Sequence, residues 1–289
     1  MTTAQDFRSR RQRLAQLFPQ GCLLFSGNPV ARNPPQHYPF RGCSHFLYFC
    51  GWNQPQVWVE LKDGEATLFL PPASVDTAIW EGAGPDHDFL RERFGFDHIE
   101  EGLPPTQDRP KVGAAAAGPF DSELAQAVIQ CRLYHDQAAQ AQLREAAAMS
   151  VRAHFHAMRA TRPERREFQI MATLLVAVTQ EGGCASFSPI VSTHGEVLHN
   201  PHHQGTLRQG DLLLVDFGAE TSEGWAGDLT RTFPVRTTFS PRQAEIYEVV
   251  LRAQKAAIDN CRVGVEYRQV HAAASLEMAR GLTQLGILR

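Results

Sequence analysis

The sequence predicts an α/β domain with a mixed sheet followed by an α+β unit, and three observations carry that reading. The texture changes near Tyr134: before it the chain is rich in Pro, Gly and aromatics, and after it alanine-rich and helical. Short apolar runs bounded by turn residues recur in the first half, as strands require. In the second half apolar residues recur at three- and four-residue spacing, as helices require. The length of 289 residues agrees with two domains, taken here as 1–135 and 136–289, each able to bury its own core.

In the first half, strands are expected at Cys22 to Phe25, Phe46 to Phe49, Val57 to Leu61, Ala66 to Leu70 and Val112 to Ala117. Helical or loop segments at Val75 to Gly82 and Phe89 to Phe94 lie between them, which makes the sheet mixed. The aromatics Tyr38, Phe40, Phe46, Tyr48, Phe49, Trp52 and Trp58 read as core and strand residues. Arg8, Arg10, Arg11 and Arg13 read as the solvated face of a first helix. In the second half Leu143, Ala147, Val151, Phe155 and Met158 mark one face of a helix ending before Pro163. A second helix runs from about Glu164 to Gln180 and stops at Gly182-Gly183, after which Pro189 to Pro234 turns to strands and loops. Ser240-Pro241-Arg242-Gln243 is a helix start with an N-cap Ser, a first-turn Pro and a capping-box Gln. A final helix spans about Tyr267 to Leu285, with Gly286 as its C-cap.

Charge and composition exclude several classes. With 28 Lys+Arg against 31 Asp+Glu the net charge is −3, which lacks the cationic excess that binding to nucleic acid or an anionic membrane demands. No stretch reaches the roughly 20 apolar residues of a membrane span, and the N-terminus lacks the apolar core of a secretory signal, so a cytoplasmic protein is expected. Cys22, Cys43, Cys50, Cys131, Cys184 and Cys261 are scattered without a C-x-x-C pair and read as reduced, mostly buried thiols.

The chemistry concentrates in Asp216 to Val235, DFGAETSEGWAGDLTRTFPV. An apolar run, Leu212 to Val215, ends on Asp216, and a second begins just after Asp228, with turn chemistry at Thr221 to Gly224 between them. A β-hairpin centred on Ser222 sets the two aspartates opposite each other; one closed by Gly224 makes them diagonal neighbours on the same face. Two carboxylates that close cannot both ionise without a cation, and a pair of divalent ions is one solution. Turn or capping roles for each Asp, or neutralisation of one by Arg231, are the structural alternatives. Upstream, His199-Asn200-Pro201-His202-His203 supplies imidazoles able to bond a developing oxyanion or shuttle a proton, or else a solvated polar loop. His154, His156 and His194 read as structural or surface residues.

This hairpin, with its Asp-Phe-Gly-Ala start and Gly-Asp-Leu-Thr-Arg-Thr-Phe-Pro-Val end, resembles the metal-binding hairpin of the aminopeptidase P and prolidase family. The segment Gly195 to Asn200 is similar to that family's substrate-contacting histidine loop, and Tyr38 to Arg41 and Phe46 to Trp52 are similar to its N-terminal domain. The resemblance implies the first half of a pita-bread catalytic domain behind an aminopeptidase P N-terminal domain. It also implies a proline-specific metallopeptidase using two divalent ions, usually manganese. Asp216 and Asp228 would be ligands, Asp228 bridging both ions, and His199 would stabilise the oxyanion. Arg231, Thr230 and His202 would sit behind the ligands or toward the substrate.

In the family a further His and two Glu complete the cage, from a region beyond the one that Gly281 to Leu288 resembles, so the chain reads as ending midway through the catalytic domain. The expected activity is removal of the first residue from peptides with proline second, by the complete enzyme. The alternatives are a prolidase acting on Xaa-Pro dipeptides and a non-catalytic relative serving as a peptide-binding or regulatory module. The expected partners are Xaa-Pro peptides, without nucleic acid or membrane, and a homo-oligomer is compatible with the sequence.

Overall fold

The computed structural model describes residues 1–72, 79–80, 82, 84, 86–105, 109–113, 122–235 and 238–289. In chain order its helices are α1 (Ala4–Leu17), α2 (Ser44–Cys50), α3 (His87–Phe94), α4 (Ser122–Leu133), α5 (Gln137–Ala160), α6 (Glu167–Gln180), α7 (Pro241–Asn260) and α8 (Tyr267–Gln284). Its strands are β1 (Cys22–Phe25), β2 (Ala31–Asn33), β3 (Gln36–His37), β4 (Trp58–Lys62), β5 (Glu65–Leu70), β6 (His98–Glu101), β7 (Lys111–Gly113), β8 (Cys184–Ala185), β9 (Ile190–Ser192), β10 (Leu212–Phe217), β11 (Ala219–Glu220) and β12 (Leu229–Pro234). Two compact units result, one of Met1–Arg152, Ala177–Phe187 and Gly218–Leu229, the other of Ala153–Val176, Ser188–Phe217 and Thr230–Arg289.

The first unit is built on a five-stranded sheet in the order β6-β5-β4-β1-β7. β1 pairs antiparallel with β4 and parallel with β7, and β4–β5 is antiparallel while β5–β6 is parallel, so the sheet is mixed as expected. Cys22, Leu24, Val59, Leu61 and Leu68 bury one continuous core with Leu14 of α1 and Leu90 of α3. Of the expected strand at Val112 to Ala117, β7 takes its start and 114–117 lie outside the described residues; so do 75–78 and 81 of the segment Val75 to Gly82.

Three expectations need correction. Phe46 to Phe49 is not a strand but the middle of α2, which ends on Gly51 at φ +73°. An apolar run buried on every side carries no period to separate helix from strand, and Phe46, Tyr48, Phe49 and Cys50 are all buried. Arg10 and Arg11 are not solvated: both are buried, Arg10 bonded to Asp136 and the Tyr48 carbonyl, and Arg11 to the Phe49 and Phe94 carbonyls. The rings of Tyr48 and Trp225 face the Arg10 guanidinium at 4.6 and 5.6 Å, so flat aromatic walls replace solvent around this cation.

The third correction concerns α5. Its buried stripe is Ala139, Ala146, Met149, Ser150, Ala153, His154 and Ala157, whereas Val151 and Phe155 are exposed. Small residues win because backbone approaches closely: a Cβ on Gly227 would lie 2.5 Å from Ser150 Oγ and 2.8 Å from the Ala146 carbonyl.

The second unit carries a three-stranded sheet in the order β12-β10-β9 together with α7 and α8. α6 starts about three residues later than expected, because Glu164 takes φ +69° and Arg166 bridges to Thr206. α7 has the expected capping box, Ser240 Oγ accepting from the Gln243 N–H and the Gln243 side chain from the Ser240 N–H. α8 ends at Gln284, and Gly286 follows at φ +69°, as a helix stop requires. Among the described residues no helix is long and apolar enough to cross a membrane.

Candidate metal centre and histidine loop

Asp216 is held by the alternation of β10. Leu213, Val215 and Phe217 point into the core, and the residues between them are half-buried. β10 pairs antiparallel with β9, placing Asp216 opposite Ile190 and Leu214 opposite Ser192. Asp216 Oδ1 is buried and has no hydrogen-bond partner among the described residues. A buried carboxylate oxygen without a donor costs about 1–3 kcal/mol, so this atom suits a cation that the polypeptide itself does not provide. Behind it, His154 Nε2 donates to the Phe217 carbonyl at 3.2 Å and the two rings meet edge to face, which fixes the end of the strand.

Asp228 belongs to the first unit and is exposed. The segment leading to it is more than a turn. Ala219–Glu220 forms β11, paired antiparallel with β8, and Glu220 bridges to Ala226. With Thr221 N–H donating to the Trp225 carbonyl and Gly227 N–H to the Ala219 carbonyl, this segment takes the register centred on Glu223, the shifted one of the two expected. Gly227, next to Asp228, is pinned by Ser186 Oγ donating to its carbonyl at 2.8 Å. Glu220 is buried and paired with Arg41 at 2.9 Å, so its charge is already met.

His199 sits exposed in a turn of the loop that follows β9. Its neighbour Asn200 donates from Nδ2 to Ser192 Oγ at 3.1 Å, tying this part of the loop to the strand beside β10. His202 is exposed, its N–H bonded to Asn200 Oδ1, and His203 is turned away to the Pro189 carbonyl. Thr230 lies exposed on β12, and Arg231 donates to the Thr230 carbonyl at 2.8 Å. No ion pair from Arg231 to a carboxylate occurs among the described residues, and none of their His, Cys, Asp and Glu side chains form a group of three or more able to hold a metal. Glu167 escaped the sequence reading; its only sequence signal is an acid in the first turn of α6.

The model of metallopeptidase family M24 matches residues 141–286, and that of the aminopeptidase P N-terminal domain matches residues 7–102. The Xaa-Pro aminopeptidase of Escherichia coli K12 is 29% identical, covering 99% of this chain and 74% of that protein. The Xaa-Pro aminopeptidase of Haemophilus influenzae is 31% identical, covering 99% of this chain and 73% of that protein. Among solved structures, an alanine variant of E. coli aminopeptidase P in complex with substrate has a TM-score of 0.87 at 26% identity, covering 99% of this chain and 75% of that one. Zinc-substituted E. coli aminopeptidase P in complex with product has a TM-score of 0.86 at the same identity and coverage. The fold is therefore an aminopeptidase P N-terminal domain joined to pita-bread elements, and the chain belongs to metallopeptidase family M24.

Proposed function

We propose that the chain acts in a metal-dependent aminopeptidase that removes the N-terminal residue from peptides with proline in second position. The observation that carries this reading is Asp216 Oδ1, a buried oxygen without a donor among the described residues, in a chain of a metallopeptidase family. The names of the relatives support the Xaa-Pro specificity. Asp216 and Asp228 are the residues that would hold divalent ions, with Mn²⁺ as the proposed native metal. When bound, such ions supply a Lewis acid for the scissile carbonyl and make an attacking water more acidic. His199 donates a hydrogen bond to the oxyanion that develops on that carbonyl, a role its exposed loop position permits. Arg231, bonded to the Thr230 carbonyl, sits with Thr230 and His202 behind the ligands or toward the substrate.

Two carboxylates alone make a weak, hydrated site, so the activity is assigned to the enzyme with a complete ligand set, to which this chain contributes Asp216 and Asp228. The proposal includes residues 1–135 and 136–289 as the domains, peptides as the partners, a homo-oligomeric assembly and a cytoplasmic location, the last supported by six free thiols. Release of the first residue from Xaa-Pro-Pro and Xaa-Pro substrates with added Mn²⁺ tests it. Cleavage of both, or of the longer peptide alone, supports the aminopeptidase; cleavage of dipeptides alone assigns a prolidase instead.

A second reading, a non-catalytic peptide-binding relative, is favoured by the lack of a three-donor group among the described residues. Peptide binding without Mn²⁺ uptake or hydrolysis would select it.

A further inference from the structure

Glu167 opens α6 and is 2% exposed. Its Oε1 accepts from the Thr193 N–H at 2.8 Å and from the Thr193 hydroxyl at 3.0 Å, and its Oε2 accepts from the Gly205 N–H at 2.9 Å. The Glu167 N–H returns a bond to the Gly205 carbonyl at 3.0 Å. Thr193 follows β9 directly and Gly205 lies at the far end of the histidine loop, so a single side chain grips both ends of the segment between them.

The grip is tight. A Cβ on Gly205 would lie 2.4 Å from Glu167 Oε1, closer than any side chain can come. Burying a carboxylate is costly unless donors surround it, and here two backbone N–H groups, a hydroxyl and the N-terminal end of a helix do so. Within the loop, Leu198, His199 and His202 are exposed and 193–205 contains no helix or strand, while Asn200 bonds to Ser192 Oγ and His203 to the Pro189 carbonyl. Closing both ends adds to these bonds by removing chain entropy that would otherwise spread His199 over more positions.

We propose that Glu167 is the positioning residue of the His199 loop, its buried carboxylate joining Thr193 to Gly205 and so setting where His199 can stand. The catalytic consequence rests on the reading of His199 as oxyanion donor; the closure of the loop does not.

Amide hydrogen exchange on the whole chain separates the two. Glu167→Gln keeps the size but turns one acceptor oxygen into an NH₂ group facing an N–H donor. The hydrogen-bonded amides of this segment, His194, Val197, His202 and Gly205, should then exchange about 10- to 100-fold faster, the loss of one charge-assisted bond, while those of α7 and α8 stay unchanged. Thr193→Val, a milder change that removes only the hydroxyl's bond, should give about a tenfold effect confined to the same amides. Unchanged loop exchange in both variants, or acceleration spread evenly over α7 and α8, overturns the proposal. In the peptidase assay, Glu167→Gln should lower kcat with KM unchanged, and the Glu167→Gln/His199→Ala double variant should be no slower than His199→Ala. Additive losses overturn the action of Glu167 through His199. Full activity of His199→Ala overturns the oxyanion reading while leaving loop closure to stand on the exchange data.

Discussion

Arg10 and Asp136 are joined by two parallel hydrogen bonds, Nε to Oδ2 at 2.8 Å and Nη2 to Oδ1 at 2.9 Å. Asp136 also accepts from the Ala139 N–H at the start of α5, so the pair ties α1 to that helix end. Because Arg10 is buried, Asp136→Asn leaves a cation without its counter-charge and should cost about 3 kcal/mol, read as a lower urea midpoint.

The same pair sets a pH dependence. The Arg10 hydrogen bonds hold the Asp136 carboxyl below its ordinary value, helped by the Ala139 N–H and opposed by partial burial. A depressed carboxyl contributes stability that is present above the unfolded value of about 3.9 and is lost as pH falls through the folded value. Below about pH 4 the urea midpoint of the wild type should therefore fall more steeply than that of Asp136→Asn. Parallel slopes would contradict this role.

On the proposed reading, Asp216 trades stability for binding. With Oδ1 buried and without a partner among the described residues, Asp216→Asn replaces a charge by a neutral amide and should stabilise the metal-free chain by about 1 kcal/mol. Millimolar Mn²⁺ should raise the Tm of the wild type and leave that of the variant unmoved. A variant that kept the Mn²⁺ shift would remove Asp216 from the ligand set.

Gly51 ends α2 at φ +73°, and a Cβ there would lie 2.1 Å from Phe7 Cζ. Gly51→Ala meets both a left-handed backbone and a ring with no room to retreat, at a combined cost of about 2–4 kcal/mol. Urea unfolding measures it, and a loss below about 0.5 kcal/mol would mean that Phe7 repacks freely.

Thiol reactivity should divide by burial. Burial pushes the Cys22 and Cys50 thiols up to about 12, so at pH 8 roughly one in ten thousand is thiolate. An Ellman titration of the native chain should label the exposed Cys184 and Cys261 and reach Cys22 and Cys50 only after denaturation. Rapid labelling of Cys22 or Cys50 in the folded chain would show local opening of the core sheet.

Much of the architecture was legible because it is written locally. The capping box at Ser240, the alternating strand ending on Asp216 and the short strands of the first half depend on neighbours within a few residues, and the structure has them. The family was legible too, since the hairpin around Asp216 and Asp228 carries a specific motif and the chain matches family M24. Glu167 was not, because a first-turn glutamate looks the same whether it caps a helix in solvent or grips Thr193 and Gly205.

By itself the sequence determined the family, the order of most helices and strands, and which side chains can offer metal-binding oxygen or imidazole. Only the tertiary structure decided that Phe46 to Phe49 coils as a helix, that Arg10 and Arg11 face inward, and that α5 buries its alanines while exposing Val151 and Phe155. Each of those outcomes depends on a partner distant in sequence: Phe7 against Gly51, Asp136 against Arg10, Gly227 against Ser150. Local propensity differs between alternatives by less than one buried contact or ion pair is worth, so wherever such a partner exists, packing outweighs the pattern.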